Sequence, residues 1–123
     1  MNVIGINHIN IRTTDVAASA RFYVDVFGFE FRQEPGMLGI QRNWLFDKNG
    51  RPVIHFRVVV SALNSSGSVD HLALDCEGKA EVLQRLRARH LDVSVYENIQ
   101  PGVTRVFVKD PHGLTLELYF DGE

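Results

Sequence analysis

The chain has 123 residues and a net charge of −2, with 45% hydrophobic and 23% charged residues. This length is typical of one domain with its own hydrophobic core. The slightly acidic balance excludes a basic field for nucleic acid, and no apolar run approaches the ~20 residues of a membrane span. The single cysteine excludes an internal disulfide. With no secretory signal pattern at the amino terminus, we expect a cytoplasmic protein.

Hydrophobic periodicity and turn residues predict a helix among strands in the first half. Asp15 offers helix N-cap chemistry, and Gly28 is suited to the position after the helix. An Asn-Gly pair at 49–50 is typical of a hairpin turn. In chain order, the predicted elements are a strand over 3–11, a helix over 16–27, and strands over 29–33, 39–46 and 52–60.

The same order of elements follows a short polar segment over 63–68, which we interpret as a linker. The predicted elements of the second half are a strand over 69–75, a helix over 79–90, and strands over 91–95, 104–108 and 114–120. Turn residues at 101–102 and 110–113 separate the last three strands. Each half therefore reads β-α-β-β-β.

The two halves also align in sequence at a nearly fixed offset. His8 lies over His71, an offset of 71 − 8 = 63, and Asp47 lies over Asp110, again 63. After one lost residue, His55 lies over Glu117 at 117 − 55 = 62. Two copies are too few for a solenoid. The sequence predicts an α+β fold built from two β-α-β-β-β modules, over about 1–62 and about 68–123.

The repeat gives the histidines a common interpretation. His8 and His71 occupy equivalent positions on the first strands of the halves, while His55 and Glu117 occupy equivalent positions on the last strands. His55 and Glu117 are each flanked by apolar residues, which strand alternation puts on the opposite face. A lone strand histidine is more often structural, but three histidines and one glutamate at four symmetry-related positions favour a metal site.

Three imidazoles and one carboxylate suit one divalent ion: Zn, Ni, Co, Mn or Fe(II). Four protein ligands on an octahedral ion leave two adjacent positions for substrate oxygens. The ion then acts as a Lewis acid that stabilises an oxyanion or enolate.

At these residues the chain resembles the vicinal-oxygen-chelate superfamily, which includes glyoxalases, bleomycin-resistance proteins and extradiol dioxygenases. The matching stretches lie at 7–9, 20–29, 69–74 and 110–118. The resemblance implies one domain over 1–123 with paired modules, which forms a homodimer with the metal site at or near the subunit interface. It also implies a small-molecule substrate, whereas the charge balance and the lack of a long apolar run predict no nucleic-acid or membrane partner.

The resemblance further implies roles for single residues. His8, His71 and Glu117 match the common metal-binding triad, while His55 falls where glyoxalase I has a glutamate, which is a departure from the family pattern. Arg12 resembles the arginine that glyoxalase I offers to glutathione. Arg57 and Tyr119 share strand faces with His55 and Glu117 and are candidate pocket-lining residues. We expect Glu117 or His55 to act as base.

The sequence leaves three functional hypotheses open. The leading one is a metal-dependent lyase or isomerase acting on a small substrate with vicinal oxygens. A ring-cleaving extradiol dioxygenase is the second, although the neighbourhood at 105–108 lacks the tyrosine that such enzymes carry about ten residues before the glutamate. A metal-free binding protein of the bleomycin-resistance type is the third. The segment around 33–43 is expected to decide the substrate.

Overall fold

The structure, a computed structural model, describes residues 1–39, 41–61 and 67–123. Its chain divides into two compact units, Met1–Ala62 and Leu63–Glu123. Positions 63–66 of the predicted linker, and position 40 of the predicted strand over 39–46, lie outside the described residues. Among the helices of the described ranges, none has the length and apolar character required to cross a membrane.

The first unit is a four-stranded mixed sheet with one helix. Its elements are β1 (Ile9–Thr13), α1 (Val16–Phe27), β2 (Glu30–Pro35), β3 (Gln41–Phe46) and β4 (Pro52–Val58), with a 3₁₀ turn at Met37–Gly39. The strand order is β1-β4-β3-β2. β1 runs parallel to β4, and the other pairs are antiparallel.

The second unit repeats this arrangement. Its elements are β5 (Leu72–Cys76), α2 (Lys79–Ala88), β6 (Ser94–Glu97), β7 (Val103–Lys109) and β8 (Thr115–Asp121). The strand order is β5-β8-β7-β6, with β5 parallel to β8. The predicted α+β fold with two β-α-β-β-β modules is confirmed.

The two sheets match in register as well as in strand order. Asn10 pairs with His55 in the first sheet, and Ala73 pairs with Glu117 in the second. These two pairs are related by the sequence offsets of 63 and 62 residues. The internal repeat is therefore structural, and His55 and Glu117 occupy equivalent places on β4 and β8.

Local sequence chemistry sets the limits of α1 and its buried face. The Asp15 side chain accepts a hydrogen bond from the Ala18 amide, and Gly28 ends the helix with φ of 78°. The buried residues of α1 are Ser19, Ala20, Phe22, Tyr23 and Val26. Tyr23 packs against Phe56 of β4, with ring centroids 6.0 Å apart. The helix therefore covers one face of the first sheet, which leaves His55 on the other face.

Alternation along the last strand separates core from site in the second unit. Leu116, Leu118 and Phe120 are fully buried, while the residues between them are half-buried. Val82 and Leu86 supply the buried face of α2. Glu117 consequently lies on the face opposite the core, as the flanking leucines predict.

The first strand of each half begins later than its sequence predicts. The strand expected over 3–11 begins at Ile9, and the strand expected over 69–75 begins at Leu72. His8 and His71 therefore immediately precede their strands instead of lying on them. The partner strand β4 begins at Pro52, so it offers no partner to residues 3–6. Ile9 pairs with Ile54 near the start of β4, and Leu72 pairs with Leu116 near the start of β8.

Further strand boundaries differ from the prediction. β2 continues beyond its predicted end at position 33 to Pro35, because its residues up to that point pair with β3. The strand expected over 91–95 forms at Ser94–Glu97, where it pairs with β7. Val58, which the alternation places with the core, is 63% exposed at the end of β4.

Candidate metal centre

Two histidines and a tryptophan form a cluster on the open face of the first sheet. The rings of His8 and His55 have centroids 6.4 Å apart and lie nearly perpendicular. Trp44 of β3 pairs with His55 in register and stacks on its ring at 4.5 Å. Trp44 also meets the edge of His8 at 4.9 Å. The indole therefore positions both imidazoles.

Hydrogen bonds at Nδ1 orient the two imidazoles of this cluster. His8 Nδ1 lies 2.6 Å from Asn7 Oδ1, so Nδ1 carries the proton and Nε2 keeps a lone pair for a metal. His55 Nδ1 instead lies 2.9 Å from Asn10 Nδ2, an amide donor. In this arrangement neutral His55 carries its proton on Nε2, whereas a half-turn of the Asn10 amide would give the ligand tautomer.

The surroundings of His55 favour its neutral form. Burial lowers its pKa from 6.5, and the charges of His8 and Arg42 lower it further. A neutral imidazole is the form that binds metal or accepts a proton. The geometry therefore suits His55 to either role.

The second unit brings His71 and Glu117 together. Nε2 of His71 lies 3.2 Å from Oε2 of Glu117. On its other side, His71 Nδ1 lies 2.7 Å from Asp70 Oδ2. Asp70 and His71 are the repeat equivalents of Asn7 and His8, so the same device holds both histidines. Phe107, the register partner of Glu117, packs edge-on against the His71 ring.

Arg105 is a charged neighbour of Glu117 that was not predicted from the sequence. Its Nε lies 3.9 Å from Glu117 Oε1, and Glu117 itself is only 12% exposed. The same Nε is buried without a hydrogen-bond partner among the described residues. A small movement of either side chain would bring Arg105 within hydrogen-bond distance of Oε1, while Oε2 faces His71.

Asp70 is the main cause of a raised pKa at His71. The hydrogen bond to Asp70 is the largest effect and raises the pKa, and the charge of Glu117 raises it further, while desolvation lowers it. A histidine with a raised pKa stabilises the fold below the unfolded value of about 6.5, and this contribution is lost as the pH rises through the folded value. The Asp70–His71 pair should therefore stabilise the protein in mild acid.

We expect Asp70→Asn to lower the melting temperature of the metal-free protein more at pH 5.5 than at pH 8.5. The substitution removes the acceptor that favours protonated His71. Thermal unfolding by circular dichroism measures the difference, with Asp92→Asn as a control at an exposed position. An equal or larger loss at pH 8.5 would contradict the assignment.

The remaining predicted site residues lie on the same sheet faces but make few contacts. Arg12 and Arg57 are register partners on β1 and β4, and both are exposed. The Tyr119 hydroxyl donates to Gln100 Oε1 at 3.2 Å. Arg57 and Tyr119 thus lie two residues beyond His55 and Glu117 on their strands, while Arg12 lies two residues beyond Asn10, the register partner of His55.

The donor chemistry of each cluster fits a divalent metal ion. Zinc–nitrogen and zinc–oxygen bonds of about 2.0–2.2 Å place neighbouring octahedral donors roughly 3 Å apart, close to the 3.2 Å between His71 and Glu117. A hydrogen bond from the second ring nitrogen is typical of metal-binding histidines. Within 1–39, 41–61 and 67–123, no group of three or more His, Cys, Asp or Glu side chains is arranged to hold an ion.

Sequence and structure comparisons give the same architecture. Residues 5–118 match the family model of the Glyoxalase/Bleomycin resistance protein/Dioxygenase superfamily. A glyoxalase family protein from Bacillus anthracis is 22% identical, with a TM-score of 0.74 and coverage of 98% of each chain. The comparison with curated proteins finds no match.

A fosfomycin resistance protein, FosX from Listeria monocytogenes, is 15% identical, with a TM-score of 0.72 and coverage of 97% of this chain and 94% of that one. Its E126Q mutant was crystallised with Mn(II) and 1S,2S-dihydroxypropylphosphonic acid; it is 14% identical, with a TM-score of 0.71 and coverage of 99% and 94%. At these identities, the likeness to the solved structures shows the fold alone.

Proposed function

The chain belongs to the Glyoxalase/Bleomycin resistance protein/Dioxygenase superfamily, and from that membership and its histidine clusters we propose that it is a metal-dependent enzyme of the glyoxalase type. The proposed activity is a lyase or isomerase reaction on a small substrate with vicinal oxygens. A divalent ion, when bound, supplies Lewis-acid stabilisation of an oxyanion or enolate. FosX with Mn(II) is the example of a metal-containing relative in fold.

We assign the metal ligands to His8, His55, His71 and Glu117. The observation that carries this assignment is the 3.2 Å approach of His71 Nε2 to Glu117 Oε2, with the opposite ring nitrogen held by Asp70. His8 and its neighbour Asn7 repeat the Nδ1 hydrogen bond in the first unit. A structural histidine would need one hydrogen-bond partner, whereas the His71 ring presents its second nitrogen to the Glu117 carboxylate as well.

Glu117 and His55 are the groups suited to proton transfer. Glu117 is nearly buried and has two differently placed oxygens, one towards His71 and one towards Arg105. Arg105 would hold Oε1 and so fix the plane of the carboxylate. His55, whose pKa is lowered by burial, remains able to accept a proton at neutral pH. The side chains of Arg12, Arg57 and Tyr119 are the proposed substrate contacts.

We also propose a cytoplasmic homodimer with one metal ion per chain. β1 and β5 are edge strands of their sheets, and unpaired edges are normally covered. Exposed Val3, Ile4 and Ile6 add an apolar segment before β1. Light scattering at micromolar concentration should give twice the 13.9 kDa chain mass. A chain that binds metal as a strict monomer would contradict this assembly.

Metal content and reaction type together test the proposed function. Elemental analysis of the purified protein should find about one divalent ion per chain. The absence of bound metal after reconstitution with each candidate ion would favour a metal-free binding protein. Oxygen uptake by the Fe(II) form with catechols would instead favour the extradiol dioxygenase, the second candidate. The proposed lyase or isomerase consumes no oxygen.

A further inference from the structure

A row of arginines crosses the open face of the first sheet. Arg12 of β1 is the register partner of Arg57 of β4. Arg42 of β3 precedes Asn43 by one residue, and Asn43 pairs with Phe56, so Arg42 takes the next position opposite Arg57. Neighbouring strands are about 4.8 Å apart. Three guanidinium groups therefore arise from adjacent positions on one face.

Little on this face neutralises the arginine row, which comprises Arg12, Arg42 and Arg57. The strands β1, β3 and β4 contain no aspartate or glutamate. Glu34 is the register partner of Arg42 at the outer end of the row. None of the three arginines forms an ion pair or side-chain hydrogen bond with the described parts of the chain. Like charges opposite one another destabilise a sheet, so the row carries a cost.

The second unit shows that the fold does not need this row. Its equivalent positions, in register across β5, β8 and β7, are Asp75, Tyr119 and Arg105. That row carries one acidic, one neutral and one basic residue. The same architecture therefore forms with balanced charge, which makes the three arginines a particular feature of the first unit.

The row also has a fixed relation to the candidate metal ligands. Arg12 and Arg57 each lie two residues beyond Asn10 and His55 along parallel strands. Two residues of strand span about 6.6 Å. The charge of Arg42 reaches His55, whose pKa it helps to lower. A substrate whose anionic group binds the row would thus place atoms only a few bonds away from that group beside His55.

We propose that Arg12, Arg42 and Arg57 bind a phosphate or phosphonate group, which makes the substrate of this protein a phosphorylated or phosphono compound. A guanidinium group binds an oxyanion through two parallel charge-assisted hydrogen bonds. A doubly charged phosphate has enough oxygen acceptors to form such pairs with more than one arginine. A single carboxylate carries one charge and two oxygens, so it would neutralise less of the row than a phosphate. The substrate assignment rests on the proposed function; the anion site itself does not.

Titration of the metal-free protein with inorganic phosphate tests the site directly. Chelator-treated full-length protein is titrated at low ionic strength and followed by amide chemical shifts, with acetate as the carboxylate probe. We expect Arg57→Gln to weaken phosphate binding about tenfold or more, as loss of a charge-assisted pair implies. Arg57→Lys should weaken phosphate binding less, because it keeps the charge. Arg87→Gln, which makes an equal charge change on α2, should leave phosphate affinity almost unchanged.

Thermal unfolding separates ligand binding from a structural role. If the row is a binding site, Arg57→Gln should keep or raise the melting temperature, because it removes like-charge repulsion. Unchanged phosphate affinity in Arg57→Gln, or an equal loss in Arg87→Gln, would overturn the proposal. Acetate binding as tightly as phosphate would also overturn it. Phosphate binding without any metal binding would retain the anion site and refute the metal-dependent function.

Discussion

Replacing His71 by alanine is expected to abolish stoichiometric metal binding while leaving the fold largely intact. The side chain is 37% exposed and its ring meets Phe107 edge-on at a centroid distance of 6.0 Å, so its loss creates little cavity. Its Nε2 faces Glu117 and its Nδ1 is held by Asp70. Without the His71 imidazole, the second unit retains only Glu117 of its two candidate metal ligands. Elemental analysis after reconstitution and gel filtration measures the metal load.

A second histidine provides the control for this experiment. His90 is exposed and has φ of 56°, a conformation that asparagine tolerates. His90→Asn should therefore keep both the fold and the metal. Equal metal loads in wild type and His71→Ala would refute the ligand assignment. Circular dichroism of both variants shows whether a lost metal reflects a lost fold.

The repeat and the strand alternation made much of the fold predictable from sequence. Apolar residues on both sides of Glu117 placed its side chain opposite the core, and the buried flanking leucines agree. The limits of the first strands were not predictable in the same way. Val3, Ile4 and Ile6 have strand-forming side chains, but β4 begins at Pro52 and offers no partner to them. Pairing, not propensity, ends a strand.

The residues that orient the candidate ligands were harder to infer. Trp44, the only tryptophan, lies in a predicted strand, but its stacking on His55 depends on the register of β3 and β4. The distance from Arg105 to Glu117 likewise depends on the pairing of β7 with β8. Register is set by the pairing of two strands, so it cannot be read from the residues of either strand alone. Asn7 and Asp70 were also not assigned, although each directly precedes its histidine and this position is visible in the sequence.

The affinity for metal should fall steeply with acidity, and the electrostatics of the candidate ligands indicate the order in which protons compete. Metal binding requires neutral imidazole and ionised carboxylate. Because Asp70 and Glu117 raise the pKa of His71 above 6.5, its proton competes first as the pH falls. Burial lowers the pKa of His55, so its proton competes only at lower pH. In mild acid, the binding of each metal ion should therefore displace more than one proton.

Competition with a chelator measures how metal affinity depends on pH between 5 and 8, a range that brackets the ordinary histidine pKa of about 6.5. We expect affinity to decline first near neutrality and to fall more than tenfold per pH unit below about pH 6, once two or more protons are displaced. Asp70→Asn should move the first decline to lower pH, because His71 then loses the partner that stabilises its proton. A site formed by Glu117 and backbone oxygens would lose affinity only near the carboxylate pKa of about 4.3. A flat profile down to pH 5 would therefore remove the histidines from the metal site, and with them the proposed enzyme.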